Sequence, residues 1–173
     1  CPPGRFNTET GRIEVGQCTL CDNGKYSLIV GAQSEATCIE CLAGRWSSTA
    51  GAGSDTDCVP CGAGKHNPTT GGDSELQCER CGAGKYQNED GKAECKDCPS
   101  GTFLTSDGAT SREECVPCKE GRYGPSEGAT SPNVCAACPL GTFNPANGSA
   151  SAGNCAKCPS GKKGTAEALK SSD

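Results

Sequence analysis

Cys98-Pro99-Ser100-Gly101-Thr102-Phe103, then Gly108-Ala109-Thr110-Ser111, then Cys115-Val116-Pro117-Cys118 make up one complete unit of this chain, and reading it decides the fold. From the leading cysteine, a glycine stands three residues on, a ring five, a second glycine ten, a serine thirteen, a second cysteine seventeen, and the next leading cysteine twenty. Working outward, leading cysteines recur at Cys1, Cys21, Cys41, Cys61, Cys81, Cys98, Cys118, Cys138 and Cys158. The first glycine recurs behind each one, from Gly4 to Gly161. The ring slot holds Phe6, Tyr26, Trp46, His66, Tyr86, Phe103, Tyr123 and Phe143, and only Lys163 breaks it. Second cysteines follow at Cys18, Cys38, Cys58, Cys78, Cys95, Cys115, Cys135 and Cys155. Self-similarity at one fixed period marks a repeat protein. The repeats are read as 1–20, 21–40, 41–60, 61–80, a shortened 81–97, 98–117, 118–137, 138–157 and a partial 158–173.

Composition narrows the class. Seventeen of 173 residues are cysteine, with 25 glycines and 11 prolines. Valine, isoleucine, leucine and phenylalanine together number eighteen, too few for a conventional apolar core. A globular enzyme is excluded on that ground, and one histidine in a ring slot supports no nucleophile–base constellation. No catalytic residue, cofactor or metal is expected. The longest aliphatic run, Leu28-Ile29-Val30, is far shorter than a membrane span of about 20 residues. Sixteen basic and 21 acidic residues give a net charge of −5, scattered rather than in blocks. That gives no basic stripe for nucleic acid.

Each position has a local reading. The first glycine suits positive φ or a close backbone approach. The ring is expected to cover the cross-link. The segment from ring to second glycine, such as Tyr26–Val30, reads as one short strand, and the second glycine as a tight reversal. The serine can bond local backbone and hold that turn. Each repeat is thus a small hairpin, and contacts are expected between adjacent repeats only. A hint of helix at 165–169 lies in the last, drifting repeat, where Ala168 stands in the second-glycine slot.

The cysteines admit two readings. Bridges within repeats give Cys1–Cys18, Cys21–Cys38, Cys41–Cys58, Cys61–Cys78, Cys81–Cys95, Cys98–Cys115, Cys118–Cys135 and Cys138–Cys155. They leave Cys158, whose partner is expected two residues past the end of the sequence, so the chain is expected to continue as a longer stack. Zinc gives four-cysteine sites such as Cys18/Cys21/Cys38/Cys41, with C-x-x-C knuckles at permitted spacing. Counting does not separate the two. A zinc ribbon would make alternate repeats differ, whereas the motif of glycine, then lysine, arginine or threonine, then a ring recurs every 20 residues rather than every 40, which favours disulfides and an oxidising compartment. Asn147-Gly148-Ser149 is an N-glycosylation acceptor pointing the same way.

The motif C-P-x-G-x-[FY] with G-A-T-S before the second cysteine, as in Cys98–Phe103 and Gly108–Ser111, resembles the ephrin-receptor-like cysteine-rich repeat, similar to tumour-necrosis-factor-receptor modules. The resemblance implies short β-hairpins, one bridge between the first and second cysteine of each repeat, and an elongated, solenoid-like extracellular rod: a small disulfide-rich β fold. Cys21, Cys41, Cys61, Cys81 and Cys118 lack the following proline, and the fifth repeat lacks the serine turn. The family occurs in receptors, matrix proteins and protist surface proteins, and a flagellar hair is one concrete form. The leading functional expectation is a structural stalk or filament segment at the cell surface, working through self-assembly or other surface proteins, without nucleic acid. The alternatives are a ligand-binding or adhesion ectodomain and, further off, an intracellular zinc scaffold. His66 and Trp46 read as structural rings, and Asp55-Thr56-Asp57 as a solvated turn rather than a cation loop.

Overall fold

The computed structural model describes residues 1–9 and 14–160. The turn at Gly11 and the ninth repeat's Gly161, Lys163, Ala168 and segment 165–169 lie outside the described residues. The chain forms tandem antiparallel hairpins, each a pair of two-residue strands. In the second repeat Lys25–Tyr26 pairs with Ile39–Glu40, setting Lys25 against Glu40 and Tyr26 against Ile39. The same register recurs from Arg5–Phe6 with Thr19–Leu20 to Thr142–Phe143 with Ala156–Lys157. Two units are compact: residues 1–80 with 89–95, and the described residues of 81–88 with 96–173.

The strands are shorter than the sequence suggests. Leu28, Ile29 and Val30, expected to continue a strand, are 59%, 51% and 75% exposed and belong to none. The backbone turns away directly after the ring because the next residue is needed inside. That slot, one past the ring, is buried throughout and holds Asn7, Ser27, Ser47, Asn67, Gln87, Leu104, Gly124 and Asn144. Five residues further on stands a buried small residue, Ala32, Ala52, Gly72, Ala109, Ala129 or Ser149. In the fourth repeat Asn67 meets Gly72, whose missing Cβ would stand 2.8 Å from the amide nitrogen of Asn67. Asn144 instead donates to the Ser149 hydroxyl at 2.6 Å. Buried polar groups must be hydrogen-bonded, and the asparagines comply. Asn67 and Asn144 donate to the carbonyls of Arg45 and Arg122 in the preceding repeat, both at 3.3 Å, and accept from their own turns at Thr69 and Ala146.

Six repeats then make one 3-10 turn that begins at the serine the motif carries, and the first repeat makes its turn, Val15–Gln17, from Glu14. Ser34, Ser54, Ser74 and Ser131 accept the N–H two residues on. Ser54 and Asp57 form a capping box: the Asp57 carboxylate receives the N–H groups of Gly53 and Ser54, so Asp55–Asp57 is a structural turn. The shortened fifth repeat dispenses with this element; its strands Lys85–Tyr86 and Lys96–Asp97 still pair.

Repeats are joined by a backbone ladder. Between the second and third, Gly24 donates to the Ser47 carbonyl, Ser27 to Ala52, Gly51 to Cys21 and Cys41 to Gly24, at 2.7 to 3.1 Å. The same set recurs at the next step, where Gly44 donates to Asn67, Ser47 to Gly72, Gly71 to Cys41 and Cys61 to Gly44. In the other unit Gly101 donates to Gly124, Leu104 to Ala129, Gly128 to Cys98 and Cys118 to Gly101. Contacts also reach past the adjacent repeat, contrary to the neighbour-only expectation. A Cβ on Gly24 would lie 2.7 Å from the carbonyl carbon of Gly71, two repeats on. Gly24 itself has φ +77, so a side chain is excluded both by strain and by space. The same approach pairs Gly4 with Gly51, Gly44 with Gly91, Gly84 with Gly128 and Gly101 with Gly148. Thr70 adds a side-chain link by donating to the Glu40 carboxylate, again two repeats apart. Repeats pack this closely because their facing surfaces are bare backbone.

These contacts yield a direct comparison. Gly44→Ala must strain a positive φ and displace the backbone at Gly91, whereas Gly62 has nothing within 4 Å of its would-be Cβ and no positive φ. Denaturant unfolding with bridges intact should show a loss of about 2–4 kcal/mol for Gly44→Ala and under about 0.5 kcal/mol for Gly62→Ala.

Candidate functional site

The sixteen cysteines from Cys1 to Cys155 are disulfide-bonded. Cys1 joins Cys18, Cys21 joins Cys38, Cys41 joins Cys58, Cys61 joins Cys78, Cys98 joins Cys115, Cys118 joins Cys135 and Cys138 joins Cys155, with Cα–Cα distances of 5.5 to 5.8 Å. Cys81 and Cys95 are bonded too, and Cys158 is a free thiol. Sulfurs engaged this way are not available as the thiolates a four-cysteine zinc site requires. The leading cysteines from Cys21 to Cys118 are at most 1% exposed. A bridge at that depth is structural, so the surface chemistry lies in what surrounds it.

Around the bridges a groove recurs. The ring of one repeat forms one wall. The residues one, four and fourteen places after the next leading cysteine form the other. Four such grooves are lined, respectively, by Phe6 with Asp22 and Glu35; Tyr26 with Leu42, Arg45 and Asp55; Trp46 with Gly62, Lys65 and Glu75; and Phe103 with Lys119, Arg122 and Pro132. Strand geometry explains the pairing. Successive side chains on a strand face opposite ways, so in Arg45–Trp46 the arginine turns to the repeat behind and the tryptophan to the repeat ahead. The ring therefore covers the next repeat's cross-link rather than its own, as where Tyr86 packs against Cys98, Leu104, Ala109 and Cys115. The cation lies beside the previous repeat's ring, not beside the ring that follows it in sequence.

The cations are held in two ways. Lys25 pairs with Glu35 at 3.4 Å and Lys65 with Glu75 at 3.3 Å; both acids are well exposed, so each pair contributes at most about 1 kcal/mol. Arg45 and Arg122 instead donate from Nη1 to the carbonyls of Cys58 and Cys135, both at 2.8 Å. The groove at Phe103 is the largest, at about 350 Å³ against 260, 240 and 120 Å³ for the others. It alone of the four has no carboxylate in its lining.

The remaining singled-out residues fall as follows. His66 is half-buried in its strand with Nδ1 3.2 Å from the Glu79 carbonyl. Trp46 is half-buried in its groove with Val59 and Pro60. Asn147 is exposed, and its Oδ1 accepts the Glu120 N–H at 3.0 Å. Asp90 does the same for Ala63 at 2.8 Å. The acceptor triplet's own hydroxyl, on Ser149, is buried and bonded to Asn144. Among the described residues no helix is long and apolar enough to cross a membrane.

The family profile described as tyrosine-protein kinase ephrin type A/B receptor-like matches residues 9–58 and 69–115, more than half of the sequence, and the chain belongs to that family. It is a disulfide-rich module of the extracellular type. No curated protein matches the chain.

One exposed carboxyl, on the turn Arg112–Glu114 of the sixth repeat, is distinctive. Glu113 is held below the usual carboxylate range by its own backbone N–H and, next, by the Ser111 hydroxyl. A depressed acid adds stability above its ordinary pKa and loses it as pH falls through the folded value. In an NMR titration Glu113 should show the lower midpoint, and Ser111→Ala should move it part of the way back up.

Proposed function

We propose that this chain is a segment of an extracellular stalk or filament, a cross-linked stack that spaces or builds a surface assembly and carries no catalytic site. The observation that supports this reading best is the recurrence of one backbone ladder from step to step within each unit, from Gly24 donating to Ser47 through Gly101 donating to Gly124. A module selected for one ligand needs one distinctive face; a spacer needs every step alike. Because the ladder uses main-chain groups, it also resists side-chain variation. Its partners on this reading are copies of itself or other surface proteins, outside the cell or on its surface. A ligand-binding ectodomain is the second reading, favoured by the family's occurrence in receptors and by the carboxylate-free groove at Phe103.

Electron microscopy of native material carrying this chain separates the two. The stalk reading expects regular filaments or thin projections containing it; isolated, unassembled ectodomains bound to a soluble ligand would overturn it.

We also propose that Asn147 carries a glycan added before its repeat folds. Attachment at Nδ2 leaves the Oδ1 bond to Glu120 intact, whereas the Ser149 hydroxyl that the transferase must engage is buried once folded. Glycopeptide mapping of secreted protein should find Asn147 occupied. Folded, unglycosylated protein should stay unmodified when given transferase and lipid-linked sugar in vitro.

A further inference from the structure

We infer that the groove at Phe103 receives Leu76 of a second copy of this chain. The groove and the knob both depart from the repeat pattern, and the departures complement each other. In the groove, the slot fourteen residues after the leading cysteine holds Pro132, where the other three grooves carry Glu35, Asp55 and Glu75. Lys119 stands where they have Asp22, Leu42 and Gly62. The result is an apolar trough of Phe103, Val116 and Pro132 rimmed by two cations. Arg122 is fixed by one Nη1 bond to Cys135, which leaves its other N–H donors for a carboxylate.

The knob is Leu76, 91% exposed on the Ser74-capped turn. Its slot holds Ala36, Thr56 and Asn133 in other full repeats, so a large apolar side chain there is not part of the repeat's own packing. Exposed acids Asp73 and Glu79 lie within three residues of it. An acid-flanked leucine and a cation-rimmed apolar trough are matched in both polarity and charge, on a chain whose net charge of −5 makes the trough exceptional. The two surfaces are different, so the contact is heterologous: a joined pair still presents one vacant knob and one vacant trough, and growth need not close. One leucine covers far less than a stable interface does, so each contact is weak and association appears only towards the top of a protein concentration series. This contact rests on the filament reading.

Sedimentation velocity of the full oxidised chain across a concentration series tests it. The wild type should pass from monomer to species larger than dimer. Leu76→Ser, and separately Lys119→Glu with Arg122→Glu, should each shift association to at least about tenfold higher concentration, as expected for loss of a central contact. All these sites are exposed, and an unchanged non-reduced mass and circular dichroism check that folding is intact. An equimolar mixture of the two variants has one good knob and one good trough, so it should form dimers and stop there. A wild type that stays monomeric, variants that associate like wild type, or a mixture that stays monomeric would each overturn the contact. Binding of a separate acidic, leucine-bearing peptide at the trough without self-association would overturn it as well, in favour of a foreign partner. If native material still forms filaments while the purified chain stays monomeric, the contact fails and the filament reading stands.

Discussion

The structure depends on a buried disulfide at the centre of each 20-residue unit. With strands of two residues and almost no aliphatic side chain inside, nothing else within a repeat could hold its two arms together. Closing a loop of this size removes about 3 kcal/mol of unfolded-chain entropy per bridge. The bridge also fills the space where a core would be: the leading cysteines from Cys21 to Cys118 are the most deeply buried apolar groups among the described residues. Around that point the backbone can turn sharply at the first glycine, send one ring outward over the next bridge, and return through a serine-capped turn.

Cross-linking at each repeat makes the next level possible. Because no bulky side chain has to sit between repeats, their main chains approach to direct hydrogen bonding, and glycine Cα atoms press against carbonyls two repeats away. A conventional core would push these surfaces about 10 Å apart. Here the stack is fastened by peptide groups, which every residue possesses, so the outward residues are free to change. Leu28-Ile29-Val30 can lie exposed in one repeat and Asn88-Glu89-Asp90 occupy the matching places in another without any change to the ladder role of the first glycine. The grooves inherit this freedom: one framework, with charges that vary from step to step.

The hidden partnerships lie in positions that look unremarkable in sequence. The residue after each ring reads as a random polar, yet it is the interior of the protein. Asn67 fits against Gly72, and Asn144 bonds to Ser149. Period-2 patterning looks for apolar alternation and passes over a polar slot of this kind. Leu28-Ile29-Val30 reads as the continuation of a strand by the same patterning, yet it lies outside any strand and exposed.

What the chain's own order of residues determined is the period, the hairpin, the serine-held turn and the family. These are local: each rests on groups within about 20 residues, and a cysteine, a glycine and a ring at fixed separations leave few ways to close the unit. Only the tertiary structure decided which repeat each side chain serves. That Gly24 meets Gly71, that Tyr86 shields Cys98, and that Arg122 lies opposite Phe103 rather than beside Tyr123 all follow from how neighbouring repeats stack. That stacking is held by main-chain hydrogen bonds between repeats, and peptide groups, being the same at every residue, write no trace of it into the sequence.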